Sequence, residues 1–405
     1  MKQFFKPKTI AVIGASTNPN KVGGILMNKL KSFNGKVIPI NPKLEYKTVI
    51  QYKKIIDLAI IAVPAKFVPK TLIQCGKKKI KSVIIISAGF SEIENTKESK
   101  QIIAIAKKHK INFLGPNCFG IANINNNLDT TFAKQTPKKG SIGFISQSGA
   151  LWSYIADLNI GFSKFISLGN PVGLGFTEVL NYLSKDNQTK SIILYIEKIT
   201  DGKEFIRLAK KCKKPIYAVK VGKTKEGSKA AISHTGSLAT DYEIYKGMFK
   251  QTNIILCNSI EEALEKAAKR KLKPIGKQKQ LKFRINFDNK TTIITNAGGA
   301  GALASDHLEE RGIRTKMIDL LGTATSKDYK KTLNKNKKEN ILLIVTPQAM
   351  TDIENISRVI IDFKKQNKKS KVITCLLGSK SMQPSISLLR KNKISVTNTL
   401  RPLKK

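Results

Sequence analysis

Cysteine is sparse in this 405-residue chain, and its spacing carries no metal or disulfide signature. The five residues (Cys75, Cys118, Cys212, Cys257, Cys375) are scattered and odd in number, with no Cys-x-x-Cys pair and no Cys/His cluster. That pattern argues against a disulfide framework or a bound metal and favours reduced thiols in a cytoplasm. No apolar run reaches the ~18 residues that a membrane-spanning helix needs, so no membrane partner is expected. Met1-Lys2-Gln3-Phe4-Phe5-Lys6-Pro7-Lys8 leads straight into a strand-like run, so a cleaved export signal is not expected either. Acidic residues are few: 28 Asp and Glu stand against 73 Lys and Arg, a net charge of +45.

A charge of that size raises nucleic-acid binding. However, the lysines are spread along the whole chain, Arg is scarce, and no RNP, zinc-finger or helix-turn-helix pattern is present. Lysine at solvated positions is the preferred reading of the excess, with polyanion binding as a side role the alternative, and nucleic acid is not the expected partner. The charge does favour acidic ligands and an acidic partner subunit.

What is present is alternation. Apolar strand-like runs at 9–13, 36–40, 58–63, 82–87 and 112–114 are separated by helical stretches at 23–31, 69–78 and 97–108. A second series opens at 141–146 and continues at 192–197 and 215–221, followed by helices at 241–249 and 259–268. After a Lys/Arg/Gln-rich stretch, a third series has strands at 291–295, 341–346 and 371–376, with a helix at 303–311. Strand–helix alternation of this kind predicts parallel, doubly wound sheets. The expected organisation is α/β: a Rossmann-like unit at 1–138, a second unit at 139–268, a basic linker at 269–284 and a third unit at 285–405.

The first strand runs into Gly14-Ala15-Ser16, then Lys21-Val22-Gly23 opens a helix. Such a turn aims backbone N–H groups at an anion. It departs from G-x-G-x-x-G because Ser16 stands at the second glycine. The second strand ends in Asn41-Pro42-Lys43, where NAD-binding sheets place an acid for the ribose hydroxyls. A lysine there suits a ribose bearing a phosphate, as in CoA or NADP, and Lys21 adds a charge for a pyrophosphate. Val63-Pro64-Ala65, Ser87-Ala88-Gly89-Phe90 and Gly115-Pro116-Asn117-Cys118 are small Gly/Pro loops at further strand ends, where a long ligand can lie against backbone.

Only three histidines occur. His109 and His307 read as surface residues. His234 lies in Ser233-His234-Thr235-Gly236-Ser237, read as a small-residue loop before a helix. A neutral imidazole can attack a phosphoryl group if its other nitrogen is held by an acceptor, and Glu197, at a strand end, is the natural holder. Gly222-Lys223-Thr224 mimics the end of a phosphate loop, but G-x-x-x-x-G-K-[ST] needs glycine where Tyr217 stands, so a P-loop is rejected. Ser146-Gln147-Ser148-Gly149 runs from a strand into an apolar helix. Its free N–H groups and hydroxyls offer a place for a phosphate, on a histidine or on an acyl group.

Together these residues resemble the NDP-forming acyl-CoA synthetase family, relatives of succinyl-CoA synthetase. The matching stretches, in order, are Gly14-Ala15-Ser16, Lys21-Val22-Gly23, Asn41-Pro42-Lys43, Ser87-Ala88-Gly89-Phe90, Gly115-Pro116-Asn117-Cys118, Ser146-Gln147-Ser148-Gly149, Gly169-Asn170, Tyr195-Ile196-Glu197 and Ser233-His234-Thr235-Gly236-Ser237. Thr295-Asn296-Ala297-Gly298-Gly299 and Thr346-Pro347-Gln348-Ala349-Met350 extend the match. The resemblance implies a CoA-binding first unit followed by two flavodoxin-like units. It implies CoA contacts from Gly14, Ala15, Ser16, Lys21, Gly23, Asn41, Pro42, Lys43, Val63, Pro64, Ser87, Ala88, Gly89 and Asn117. His234 would carry phosphate, steadied by Glu197. Ser146, Gln147, Ser148, Gly149, Gly169 and Asn170 would bind phosphate and acyl groups, with no metal held by the chain. ADP/ATP and Mg2+ would enter through an ATP-grasp β subunit, in a heterotetramer that also handles a small carboxylic acid, CoA and phosphate.

Three features depart from the resemblance: Thr240 where relatives have Gly, the less acidic run Gly169-Asn170-Pro171-Val172-Gly173-Leu174-Gly175, and a contracted third unit around 314–322. Two other readings make distinct predictions. A non-catalytic CoA sensor of the same fold would not be phosphorylated at His234. An NADP-dependent dehydrogenase would bind nicotinamide.

Overall fold

The first β-strands, Thr9–Ile13, Lys36–Ile40, Leu58–Ile61, Ser82–Ile85 and Asn112–Leu114, pair in parallel in the order 2-1-3-4-5, and the inner strands Leu58–Ile61 and Ser82–Ile85 are buried throughout. Burial on both faces is what a parallel sheet covered by crossover helices requires. The computed structural model describes residues 1–90, 96–235, 242–269 and 290–400, with the backbone alone for Thr96 and 233–235. The second sheet repeats the winding with Lys138–Ser146, Gly161–Ser167, Ser191–Ile196, Ile216–Lys220 and Ile254–Leu256. The third repeats it with Lys290–Thr295, Arg314–Asp319, Asn340–Val345, Val372–Leu376 and Ser395–Thr397. The doubly wound α/β expectation holds for all three units, whose parallel strands share one order.

One expectation changes. Ile121–Asn123 pairs antiparallel with Gly161–Ser167, and Leu128–Asp129 pairs beyond it, so the second sheet begins ahead of the boundary read at 138. The added strands cover an edge that would otherwise present unpaired backbone groups. Arg314–Asp319, in the stretch read as contracted relative to the resembling family, is a strand pairing with Lys290–Thr295. The basic linker at 269–284 lies outside the described residues.

The cores are continuous between units. Phe4, Ile10 and Leu58 of the first unit pack in one cluster with Ile145, Ile166 and Ile192 of the second. Trp152, fully buried and stacked on Phe165 with ring centroids 4.1 Å apart, belongs to a cluster that also holds Ala300, Leu303 and Ile344 of the third unit. Burying whole sheet faces between units fixes how their strand ends face one another.

The helix Gly298–Glu309 shows why packing overrides propensity. It starts before the expected 303, through Gly298, Gly299 and Gly301, although glycine weakens helix interiors. A side chain at Gly299 would meet Ser148 at 2.4 Å, and one at Gly301 would meet the Met317 sulfur at 2.4 Å. The glycines allow this helix to lie against both its own sheet and the second unit.

Candidate functional site

The loops at the carboxyl ends of the first sheet are built by backbone contacts. Gly14 has φ +96°, and its N–H donates to the Ile40 carbonyl at 2.9 Å. A methyl at Gly23 would lie 1.9 Å from the Gly14 carbonyl oxygen, so the helix Val22–Lys29 starts directly against the loop. Asn41 ties two loops together: its Nδ2 donates to the Ala15 carbonyl at 2.8 Å, while its Oδ1 accepts from Lys43 N at 3.0 Å. Asn18 N donates to Ser16 Oγ at 3.1 Å. Ser87 Oγ donates to the Val63 carbonyl at 2.5 Å, joining the next two strand ends. Around this scaffold Lys21, Pro42, Lys43, Pro64 and Ala88 are exposed. The result is an open rim with two ammonium groups, which suits a long anionic ligand lying along the strand ends.

The first unit's last loop connects to the second unit. Asn117 N donates to the Ser87 carbonyl at 2.9 Å, and Asn170 N to the Pro116 carbonyl at 2.9 Å. Gly169, at φ +59°, lies so close that a side chain would meet the Pro116 and Asn117 carbonyl oxygens at 2.4 and 2.5 Å. Leu168 N donates to the Ser146 carbonyl at 2.8 Å. One continuous set of loops therefore runs from Ser87 through Asn117 and Gly169 to Ser146.

Ser146 and Glu197 follow adjacent parallel strands, paired at Tyr195 and Ser146. These strands flank the point where the winding of the second sheet reverses, the usual ligand crevice of such sheets. Gln147 Oε1 accepts from Glu197 N at 2.6 Å and from Lys198 N at 2.8 Å, closing the crevice floor. Glu197 is buried at 6% exposure. Ser146 Oγ donates to the Ser148 carbonyl at 2.6 Å. Gly149 packs where a side chain would meet Phe119 Cβ at 2.3 Å. The Ser148 hydroxyl is buried and has no hydrogen-bond partner among the described residues, and it faces Gly299 of the third unit. Tyr195 OH donates to the Gly299 carbonyl at 2.8 Å.

Sequence reasoning missed Lys220. It ends the strand beside Glu197, pairing in register with Ile196, and is 2% exposed. Its ammonium donates to the Val221 carbonyl and sits 4.6 Å over the Tyr245 ring. Burial pulls its pKa down to about 8, against the attraction of Asp306 and Glu197. Lysine abundance hid it: nothing in the sequence separates this residue from dozens of solvated ones. The unfolded chain keeps this proton to higher pH than the folded one, so above about 8 the unfolded state binds more protons and stability rises with pH. Lys220→Met is expected to raise stability at pH 7 by ~1–3 kcal/mol, a gain that shrinks as pH approaches ~10.4, the free lysine value. Urea denaturation at pH 7 and pH 10 checks this, and a gain equal at both would contradict the burial of the charge.

His234 does not precede a helix. The helix Lys225–Thr235 runs through it, because the Ala- and Lys-rich stretch favours continuation. The run 236–240, including Thr240, lies outside the described residues, and the next helix is Tyr242–Lys250. The other histidines also differ from expectation in part. His307 is buried at 8%, with Nε2 3.1 Å from the Asn258 carbonyl oxygen, a structural contact between units. His109 is half-buried against Gly76.

The five cysteines are free and buried, and burial pushes the Cys75 and Cys118 thiols up to about 12. Among the described residues no cluster of His, Cys, Asp or Glu could hold a metal, and no helix is long and apolar enough to cross a membrane. A cleft of about 510 Å³ lined by Met1, Lys6, Tyr182 and Asp186 lies away from these strand ends.

Three doubly wound parallel sheets, with glycine-bearing loops linked from the Gly14/Asn41 strand ends to the buried Glu197, define the class of α/β scaffold. Residues 8–124 match the model of the CoA binding domain, and residues 139–269 match that of the succinyl-CoA ligase-like flavodoxin domain. The alpha subunit of ADP-forming acetate–CoA ligase II of Pyrococcus furiosus is 38% identical, over 96% of this chain and 93% of that one. The ADP-forming acetate–CoA ligase of Methanocaldococcus jannaschii is 40% identical over 97% of this chain, which spans only 60% of that longer protein. Dinucleotide-forming acetyl-coenzyme A synthetase 1 of Ca. Korarchaeum cryptofilum, solved with phosphate and ADP, superposes with a TM-score of 0.64 at 30% identity, covering 98% of this chain and 93% of that one. The chain belongs to the ADP-forming acetate–CoA ligase family of acyl-CoA synthetases.

Proposed function

We propose that this chain is the CoA-binding alpha subunit of an ADP-forming acyl-CoA synthetase acting on acetyl-CoA, with His234 as the phosphate carrier. The observation that carries the reading is the continuous loop path from the Gly14/Asn41 rim, through Asn117, Gly169 and Asn170, to the Gln147–Glu197 crevice. A CoA lying along the rim brings its thioester to the junction. There phosphate bound by Ser146, Gln147, Ser148 and Gly149 attacks the acyl carbon; the C–S bond breaks, CoA leaves, and an acyl phosphate forms. The buried Ser148 hydroxyl supplies a donor not used within the described protein. His234 then takes the phosphoryl group, releasing the carboxylic acid, with Glu197 holding the imidazole. ADP receives the phosphoryl group to give ATP. A covalent carrier keeps the acyl phosphate out of water, and positioned donors stabilise the charge in transfer.

Gly14, Ala15, Ser16, Lys21, Gly23, Asn41, Pro42, Lys43, Val63, Pro64, Ser87, Ala88, Gly89 and Asn117 form the CoA rim in this reading, and Gly169 and Asn170 the acyl end. The chain spans nearly all of an alpha subunit but three-fifths of a longer ligase. The relative's naming as an alpha subunit supports a partner subunit, which we assign as an ATP-grasp β subunit, in a heterotetramer, bringing the nucleotide and Mg2+. We assign 1–120 to CoA binding, 121–268 and 285–405 to the two ligase units, and 269–284 to the connection between them. Five free, buried cysteines fit a cytoplasmic setting.

The direct test is to incubate the chain with radiolabelled acetyl phosphate and measure acid-labile label; no label on the wild type would overturn the reading. Lys43→Glu is expected to weaken CoA binding roughly 10–100-fold, the scale of one charge-assisted phosphate contact. Dephospho-CoA affinity should change much less. Equal losses in calorimetry would contradict a 3′-phosphate role.

A further inference from the structure

The Gly222-Lys223-Thr224 turn, rejected as a nucleotide loop, is nevertheless an occupied anion cradle. Gly222 has φ +76°, and the turn's amides point to one place, as in anion-binding nests. The occupant is a side chain of the third unit. Asp306 Oδ2 accepts from Gly222 N at 2.8 Å, and Oδ1 accepts from Thr224 N at 3.0 Å and Thr224 Oγ1 at 2.9 Å. Asp306 is fully buried, and a side chain at Gly227 would lie 1.9 Å from its Oδ1. Nearly one turn further along, Glu309 Oε2 accepts from Glu226 N at 2.6 Å. Two carboxylates of the helix Gly298–Glu309 thus hold the start of the helix Lys225–Thr235, where free amides and the helix dipole favour negative charge.

The same device appears in reverse. Asp157 of the second unit has Oδ2 accepting from Ser379 N, from Ser381 N at 3.3 Å and from Ser381 Oγ at 2.8 Å. Both aspartates stand the same distance past the end of their unit's first parallel strand, Ser146 to Asp157 and Thr295 to Asp306. Both reach the turn after the other unit's fourth parallel strand, at Gly222 and Gly378. Gln147 and Asn296 correspond as well: Asn296 Oδ1 accepts from Thr346 N at 2.9 Å, as Gln147 Oε1 accepts from Glu197 N. The pairing is reciprocal, but only one clamp holds the helix that bears His234. The helix that provides it has its other end against Ser148 and Tyr195 at the crevice.

We propose that Asp306 is a positioning residue for phosphoryl transfer: by filling the Gly222–Thr224 cradle it sets the histidine-bearing helix relative to the crevice, whereas its counterpart Asp157 only joins the units. The catalytic part of this rests on His234 being the phosphoryl carrier. Asp306→Asn keeps the shape but offers an N–H to a donor, so at least one side of the clamp opens. Amide hydrogen exchange on the full chain should quicken about tenfold or more at 222–232 in Asp306→Asn, and only near 379–381 in Asp157→Asn. Labelling from acetyl phosphate should slow about tenfold in Asp306→Asn with KM unchanged, a loss of orientation, and stay within twofold of wild type in Asp157→Asn. Thr224→Val should reproduce part of the slowing, and Thr224→Ser should restore it.

Unchanged exchange at 222–232 in Asp306→Asn overturns the proposal, as does equal slowing of labelling by both aspartate variants. Absence of label on the wild type would overturn the carrier reading and the catalytic part with it; the exchange comparison would still decide whether Asp306 holds the helix.

Discussion

Replacing His234 with alanine is expected to abolish the acid-labile phosphate that acetyl phosphate leaves on the wild-type chain. On the proposed route the imidazole is the only covalent bridge between acyl phosphate and ADP. Its loss cannot be offset by better binding, because the phosphoryl group has no acceptor to move to. ATP synthesis with the partner subunit should fall by roughly 10³-fold or more, while CoA affinity, set at the first sheet, stays within about twofold. Isotope exchange separates the steps: exchange between acetyl-CoA and acetyl phosphate, which needs only the thioester chemistry, should survive. A variant that labels as well as wild type would remove His234 from the mechanism. Glu197→Gln should be milder than His234→Ala, because it removes an orienting acceptor and leaves the nucleophile.

Gly23→Ala carries the other large effect. The added methyl would sit 1.9 Å from the Gly14 carbonyl oxygen and within 3.2 Å of Ala15, so helix and loop must separate. The rim depends on that closeness: Gly14 N bonds to Ile40, and Ala15 receives Asn41. CoA affinity should fall by about 100-fold or more, roughly 3 kcal/mol, with labelling by acetyl phosphate largely retained, since that reaction does not use the rim. Calorimetry with CoA and the labelling assay, run on the same preparation, give both numbers. A melting temperature within a few degrees of wild type would show that the effect is local. CoA affinity within threefold of wild type would move the rim elsewhere.

The parts legible in sequence are those written in local chemistry. Gly14, Gly89 and Gly115 announced turns, and each adopts a positive φ. The apolar runs became strands wherever they were buried on both faces. Less legible were elements whose existence depends on a distant partner. Ile121–Asn123 is a strand because the edge at Gly161–Ser167 needed covering. Gly298-Gly299 reads as a loop until Ser148 and Tyr195 press against it. His307 reads as a surface residue until the Asn258 carbonyl meets its ring.

By itself, the sequence determined the strand–helix alternation of three α/β units and the glycine turns at their strand ends, because strand periodicity and glycine backbone freedom are properties of short segments. Only the tertiary structure decided that Lys220 is a buried cation, and that the Gly222-Lys223-Thr224 turn is filled by Asp306. Desolvation and charge pairing arise between residues far apart in the chain, and they come into being only when whole sheet faces are buried against one another.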